Sequence, residues 1–184
     1  SSLISLEASG RVFYGFDGKQ QDIFKTLSQA GINYIRVRVW NDPFDAQGNG
    51  YGGGNCTVDT AIALGKRAAE YGMGLMVDFH YSDFWADPGK QQAPKAWANM
   101  TVDQKAKAMY DFTVESIEKI QAQGIKIGMV QVGNETTGGI CGEKSEANIY
   151  KLLKSAAEAV RDTNPEILIG IHYTNPEKKA YSYY

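Results

Sequence analysis

The chain has 184 residues, which is enough for one domain with a sizeable core. Hydrophobic residues make up 43% of it and charged residues 22%, as in an ordinary globular protein. The net charge of -2 gives no basic excess that would favour nucleic acid or an acidic membrane surface, and no apolar run reaches the roughly 20 residues that span a bilayer. We therefore expect neither a nucleic-acid partner nor a membrane partner.

Helical and extended patterns alternate along the chain. The helical patterns cover residues 22–29, 58–70, 102–123 and 146–161. Each is followed by a short, mainly apolar segment, and these segments are predicted to be strands covered on both faces, at residues 34–40, 74–80, 127–133 and 167–172. Thr57 and Thr101 stand where N-caps are expected. Four helix–strand units in succession predict a parallel sheet.

Two architectures provide a parallel sheet of this kind. A doubly wound sheet would carry a glycine-rich phosphate loop directly after an early strand. The glycine cluster at residues 50–54 lies in a long loop and does not open a helix, so it indicates a loop of special conformation rather than a phosphate cradle. The other architecture is a (β/α)8 barrel, in which active sites lie at the C-terminal ends of the strands.

Polar side chains decide between the two architectures. Each predicted strand carries them in or just after its C-terminal end, namely Arg36 and Arg38, Asp78 and His80, Asn134 and Glu135, and His172. A charged group in a buried strand costs free energy unless it is paired, so four such places at the same end indicate one shared polar site. This favours the α/β fold of a (β/α)8 TIM barrel. Roughly half of its strands are found, so residues 1–184 are expected to form one partial barrel domain.

Glu135 is the strongest candidate for chemistry. A glutamate at the end of a buried strand suits a general acid, because burial disfavours its charged form. The neighbouring Asn134 could hydrogen-bond a sugar hydroxyl. The structural alternative is an acid that caps a helix N-terminus. The dense run of polar and aromatic residues at 78–89, just past another strand, favours a functional site.

The other candidate residues each have two possible roles. Alternation along the strand points Asp78 and His80 the same way, and with His172 they could bind a metal. A sugar site explains the same groups, so no metal and no other cofactor is predicted. Trp85 could stack on a sugar ring or pack within its own loop. Arg36 could hold a carboxylate in its ionised form or serve as an arginine of the barrel interior.

Cys56 and Cys141 are both predicted to lie in loops. A disulfide between two loops on the same face would suit an oxidising compartment, and two separate free thiols fit the sequence equally well. The spacing of the two cysteines does not resemble a zinc site. A secreted, extracellular location is expected.

Five segments carry a further signal, with the sequences IRVRVW, YGGG, DFHYSD, WADPG and VQVGNE at residues 35–40, 51–54, 78–83, 85–89 and 130–135. Together they resemble the endo-β-1,4-galactanases of glycoside hydrolase family 53, and the resemblance covers most of the chain. It implies a (β/α)8 barrel, retaining glycoside hydrolysis and, as polysaccharide substrate, the β-1,4-galactan side chains of pectin.

The resemblance also implies a role for individual residues. It implies Glu135 as the acid/base and Asn134 as a ligand of the sugar next to the cleaved bond. The other family positions that bind substrate correspond to Arg36, Asp78 and His80 around that sugar, Trp85 in a substrate-contacting loop, and His172 at the end of the following strand.

The family pattern extends beyond these residues. Its nucleophile is a glutamate near the end of the seventh strand, so we expect the nucleophile to lie outside this chain. The tail at residues 180–184 resembles the sixth strand of the family. Asp78 and Glu177 are disfavoured as substitute nucleophiles. A chain of only these residues is expected not to hydrolyse galactan, and the alternative is an inactive carbohydrate-binding or structural half-barrel fragment.

Overall fold

The computed structural model describes residues 2–174, so the predicted strand at residues 180–184 and Glu177 lie outside the described residues. The helices are α1 (Ser2–Ala8), α2 (Ile23–Gln29), α3 (Val58–Glu70), α4 (Val102–Gln121) and α5 (Glu146–Thr163). The strands are β1 (Tyr34–Val39), β2 (Gly74–Phe79), β3 (Ile127–Val132) and β4 (Leu168–Ile171). Two short 3₁₀ turns lie at Lys95–Trp97 and Thr136–Gly138.

The four strands form one parallel sheet in the order β1-β2-β3-β4, and α3, α4 and α5 connect them in turn. Their last residues are in register, since Val39 pairs with Phe79, Phe79 with Val132, and Val132 with Ile171. The predicted α/β fold with a parallel sheet is therefore confirmed. Side chains that follow the strands emerge together at one edge of the sheet.

The helix boundaries follow local sequence signals. Thr57 accepts a hydrogen bond from the Thr60 N–H, and Thr101 forms a reciprocal capping box with Gln104. Both predicted caps are confirmed. Helix α1 was not predicted, and it buries none of its residues. It is tied to α3 by the ion pair between Glu7 and Arg67.

One face of the sheet packs against the helices and forms the core. Fully buried strand residues such as Val37, Val77 and Val130 alternate with residues on the opposite face. The second face of the sheet is less covered at β1 and β4 than at β2. Tyr34 remains 40% exposed and Leu168 60% exposed, because the described residues cover the second face of these strands only in part.

Tyr34 lies across the second face of the sheet, near the N-terminal ends of the strands. Its ring occupies the space that side chains would take at Gly74 and Gly128, where an added Cβ at Gly74 would come within 2.8 Å of Tyr34 Cε1. A β-carbon at Gly128 would overlap the same ring even more closely. The ring can therefore reach over two neighbouring strands only because both positions are glycine.

Cys56 and Cys141 are both buried free thiols, so the structure favours two separate thiols over a disulfide. Burial raises the pKa of the Cys141 thiol to about 12. Between residues 2 and 174, no helix is both long enough and apolar enough to cross a membrane.

Candidate active site

Asp78, near the end of β2, is the charged centre of the edge where the strands end. Its side chain is fully buried. Its Oδ2 lies 2.8 Å from Arg36 Nη2 on β1, and its Oδ1 accepts a 2.6 Å hydrogen bond from Gln131 Nε2 on β3. An ion pair from β1 and a hydrogen bond from β3 therefore compensate the burial of the carboxylate on β2. Arg36 thus has Asp78 as its carboxylate partner, in keeping with one of the two roles considered for it.

His80 is held in one protonation form by its neighbours. The Ala86 N–H donates to Nδ1 at 3.0 Å, so Nδ1 must be unprotonated. The proton is then on Nε2, which donates to Asp78 Oδ2 at 3.1 Å. The imidazole is neutral and both of its nitrogens are occupied. Asp78 and His80 point the same way, as strand alternation predicts.

The side-chain amide of Asn134 is fixed by three neighbours. Its Oδ1 accepts from Arg36 Nη2 at 3.0 Å and from Gln131 Nε2 at 3.3 Å, and its Nδ2 donates to the Ala86 carbonyl at 2.8 Å. Because Arg36 can only donate, the orientation of the amide is unambiguous. One N–H of Nδ2 is left over by these contacts.

His172, just after β4, joins the same network. Its Nδ1 lies 2.9 Å from Asn134 Oδ1, and the Glu135 N–H points at the same nitrogen from 3.3 Å. The contact with Asn134 Oδ1 requires a proton on Nδ1, whereas the contact with the Glu135 N–H requires that Nδ1 carry none. The shorter one, to an oxygen that can only accept, puts the proton on Nδ1. The His172 carbonyl also accepts from the Thr136 N–H at 2.9 Å, which fixes the residue after Glu135.

Glu135 lies in a strained turn next to this hydrogen-bond network. Its φ of 53° and ψ of 45° lie in the left-handed region, which costs a non-glycine residue about 1–3 kcal/mol. Gly133 precedes the turn with a φ of 77°, and a β-carbon there would come within 2.5 Å of Thr136 Cγ2. Among the described residues the Glu135 carboxylate has no hydrogen bond or ion pair, in contrast to Asp78. Such strain is typical of functional positions.

Trp85 lies at the rim of the site and is 40% exposed. The Arg38 guanidinium covers one face of its ring at 4.0 Å, and the rings of Trp40 and His80 meet it edge-on at 5.9 and 5.8 Å. Trp40 is fully buried beneath it. Trp85 therefore packs within its loop, which was one of its two possible roles, and part of its ring remains exposed.

The structure thus brings all seven predicted site residues to one edge of the sheet. Arg36, Asp78, His80, Asn134 and His172 share one hydrogen-bond network, while Glu135 adjoins it through its backbone and Trp85 through its ring contact with His80.

Sequence reasoning missed two glutamines of the site. Gln131 Nε2 bridges Asp78 and Asn134, and its Oε1 accepts from Arg36 Nε at 3.1 Å. It could have been found as the single hydrogen-bonding side chain of β3. Gln91 Nε2 donates to the carbonyls of Asn134 and Glu135. It lies in an irregular loop, and no local pattern marks it.

A metal-binding role finds no support in the geometry. Within residues 2–174, no three histidine, cysteine, aspartate or glutamate side chains are grouped as metal ligands. Asp78 and His80 are engaged with each other, and His172 is turned to Asn134.

Comparisons of sequence place this chain among known proteins. The sequence model of glycosyl hydrolase family 53 matches residues 1–184. The endo-beta-1,4-galactanase of Bacillus subtilis (strain 168) is 56% identical over 177 residues, which is 96% of this chain and 41% of that protein. The arabinogalactan endo-beta-1,4-galactanase of Humicola insolens is 34% identical over 181 residues, 95% of this chain and 52% of that protein. The chain thus spans about half the length of these relatives.

Solved structures agree with the sequence comparisons. The Ignisphaera aggregans GH53 catalytic domain superposes with a TM-score of 0.87 at 40% identity, over 94% of this chain and 49% of that one. A structure of fungal beta-1,4-galactanases superposes with a TM-score of 0.85 at 34% identity, over 95% and 52%. These domains are TIM barrels, so the predicted barrel, of which this chain provides about half, is confirmed. The chain belongs to glycosyl hydrolase family 53.

Proposed function

We propose that these residues are the acid/base half of a retaining endo-β-1,4-galactanase, which cleaves β-1,4-galactan side chains of pectin. The observation that carries the proposal is the contrast between two carboxylates at one strand edge. Asp78 is neutralised by Arg36, whereas Glu135 has no such partner among the described residues and stands in a strained turn beside the network. The galactanase names of the relatives support the choice of substrate.

Glu135 is proposed to donate a proton to the glycosidic oxygen and later to take one from water. Both steps need a carboxyl group that can change its charge, and no cation fixes the Glu135 carboxylate in its ionised form among the residues described. Asp78 cannot do this without breaking its ion pair with Arg36. The two carboxyl groups are therefore suited to different tasks.

The fixed network is proposed to bind the sugar on the side of the cleaved bond that stays with the enzyme. Asn134 is the donor best placed for a ring hydroxyl, because the spare N–H of its Nδ2 is oriented by the bond to the Ala86 carbonyl. Arg36, Asp78, His80 and His172 keep that amide in place or line the same subsite. Trp85 offers the exposed part of its ring as a stacking surface.

A retaining mechanism needs a second carboxylate about 5–5.5 Å from the first. We propose that it is a glutamate on a later barrel strand, within the half of the relatives that this chain does not match. A polymer such as galactan does not cross a membrane, so the proposed enzyme meets its substrate outside the cell. The second half of the barrel would also cover the open face of β1 and β4.

The proposal is tested with Glu135→Ala in the intact protein. On galactan, kcat/KM should fall by about 10²–10⁴-fold, because the leaving oxygen departs unprotonated. On a dinitrophenyl β-galactobioside, whose leaving group needs no proton, kcat/KM should stay within about tenfold of the unaltered protein. Added azide should accelerate turnover of this substrate and yield β-galactobiosyl azide, since azide attacks the glycosyl-enzyme without help from a base.

Asp87→Ala is the matched control, because the Asp87 carboxylate lies in the neighbouring loop and accepts its hydrogen bond from the Gly89 N–H of that loop. It should leave the selectivity between the two substrates unchanged. Equal losses on both substrates, or no azide product, would refute the acid/base role of Glu135. An intact protein that is inactive on galactan and active on another β-linked polysaccharide would refute the substrate.

A further inference from the structure

Gln91 joins the loop after β2 to the turn that holds Glu135. Its Nε2 donates to the Asn134 carbonyl at 2.7 Å and to the Glu135 carbonyl at 3.2 Å, and it also reaches the Asp87 carbonyl of its own loop at 3.2 Å. Its Oε1 is buried and has no partner among residues 2–174. The three carbonyls that accept from its N–H groups therefore fix the orientation of the amide.

The backbone of Gln91 adds a second link. Its carbonyl accepts a hydrogen bond from the Gly142 N–H, at the far end of the segment that begins with Glu135. That far end is fixed on its other side by Glu143, which pairs with the buried Lys105 at 2.7 Å. One residue therefore bonds to both ends of the segment from 134 to 142.

The left-handed backbone of Glu135 needs such external support. A non-glycine residue stays in this region only where its surroundings over-determine it. The carbonyls of Asn134 and Glu135 flank the strained residue, and both take a hydrogen bond from the same amide group of Gln91. The direction of the Glu135 side chain is set by these backbone angles.

We infer that Gln91 is a positioning residue that holds the backbone of Glu135 in the left-handed conformation and so aims its carboxyl group at the leaving oxygen. The inference rests on the proposed acid/base role of Glu135. Gln91 itself acts on the backbone and touches no reacting atom. A misplacement of a catalytic group by about 1 Å can lower the rate by about 100-fold.

The test uses Gln91→Leu and Gln91→Glu in the intact protein. Leucine removes both polar groups at similar volume, and glutamate keeps the shape but opposes the two carbonyls with acceptors. For each, kcat/KM on galactan should fall by about 10–100-fold. On the dinitrophenyl galactobioside kcat/KM should fall by less than about threefold, because bond cleavage there needs no acid. Gln92→Glu, an exposed neighbour, is the charge-matched control and should change neither value.

Amide hydrogen exchange gives a second readout that needs no activity. The amides of residues 134–139 should exchange at least about tenfold faster in Gln91→Leu, while those of the β2 core keep their rates. Equal losses of kcat/KM on both substrates, or unchanged exchange at 134–139, would overturn the inference. If the unaltered protein hydrolyses neither substrate, the proposed function fails, and the exchange result still decides whether Gln91 holds the turn.

Discussion

The buried carboxylate of Asp78 provides the most direct test of the site's architecture. Asp78→Asn keeps the shape of the side chain and removes its charge. If the remaining oxygen keeps its bond to Gln131, the new NH₂ group faces two donors, Arg36 Nη2 and His80 Nε2, that formerly bonded to Oδ2. Two hydrogen bonds are then replaced by two donor–donor contacts.

The expected loss of stability follows from these contacts. The charge-assisted bond to Arg36 contributes about 1.5–3 kcal/mol, and its lower end applies because the Arg36 side chain is 44% exposed. The bond to His80 contributes about 1 kcal/mol. The sum predicts that the free energy of unfolding falls by about 2.5 kcal/mol. Repulsion between the facing donors would add to this value.

Urea unfolding of the intact protein measures the effect as a shift in midpoint at unchanged slope. Asp111→Asn is the matched control, since Asp111 forms an exposed pair with Lys107 and should change stability by less than about 0.5 kcal/mol. A loss below about 1 kcal/mol for Asp78→Asn would contradict the view that a buried ion pair organises this edge.

Three further outcomes are expected from the same structure. Gly133→Ala should destabilise by about 2–4 kcal/mol in thermal melts, because its φ is 77° and the new β-carbon meets Thr136. Lys105→Met should cost about 2–3 kcal/mol at pH 7, because it leaves the partly buried Glu143 without its cation. The Lys105 hydrogen bond lowers the pKa of Glu143, so the stability that this pair gives the unaltered protein should be lost as pH falls, and the variant should show less of that loss. Burial raises the pKa of the Cys141 thiol to about 12, so its neutral form stabilises the fold fully below about pH 9 and this contribution is lost towards pH 12; Cys141→Ala should flatten that alkaline decline in urea titrations.

The sequence was sufficient to predict the strands and helices because each carries a periodic pattern with local caps. The four strands were each predicted within two residues of their observed ends, and Thr57 and Thr101 cap the helices that follow. The convergence of polar residues was also predictable, since the ends of parallel strands share one edge. These are consequences of local pattern and of simple topology.

Other features depend on contacts between distant loops and could not be predicted locally. The donation from Gln91 to the Glu135 turn joins residues 44 positions apart, and no pattern in either loop encodes it. The neutral form of His80 depends on the backbone of Ala86, whose position is set by the folded loop. Strand composition also does not reveal which residues cover the second face of β1 and β4, which the described residues leave partly open.

The ring of Tyr34 over two glycines has a consequence for how this sequence can vary. Its ring fills the volume that side chains at Gly74 and Gly128 would occupy, so a substitution at one of the three positions constrains the residues at the other two. Alanine at either glycine is tolerated only together with a smaller residue at position 34. Variation in related proteins, and any library built on this chain, should therefore change the three positions in concert, with a large residue moving from one strand to its neighbour across the sheet.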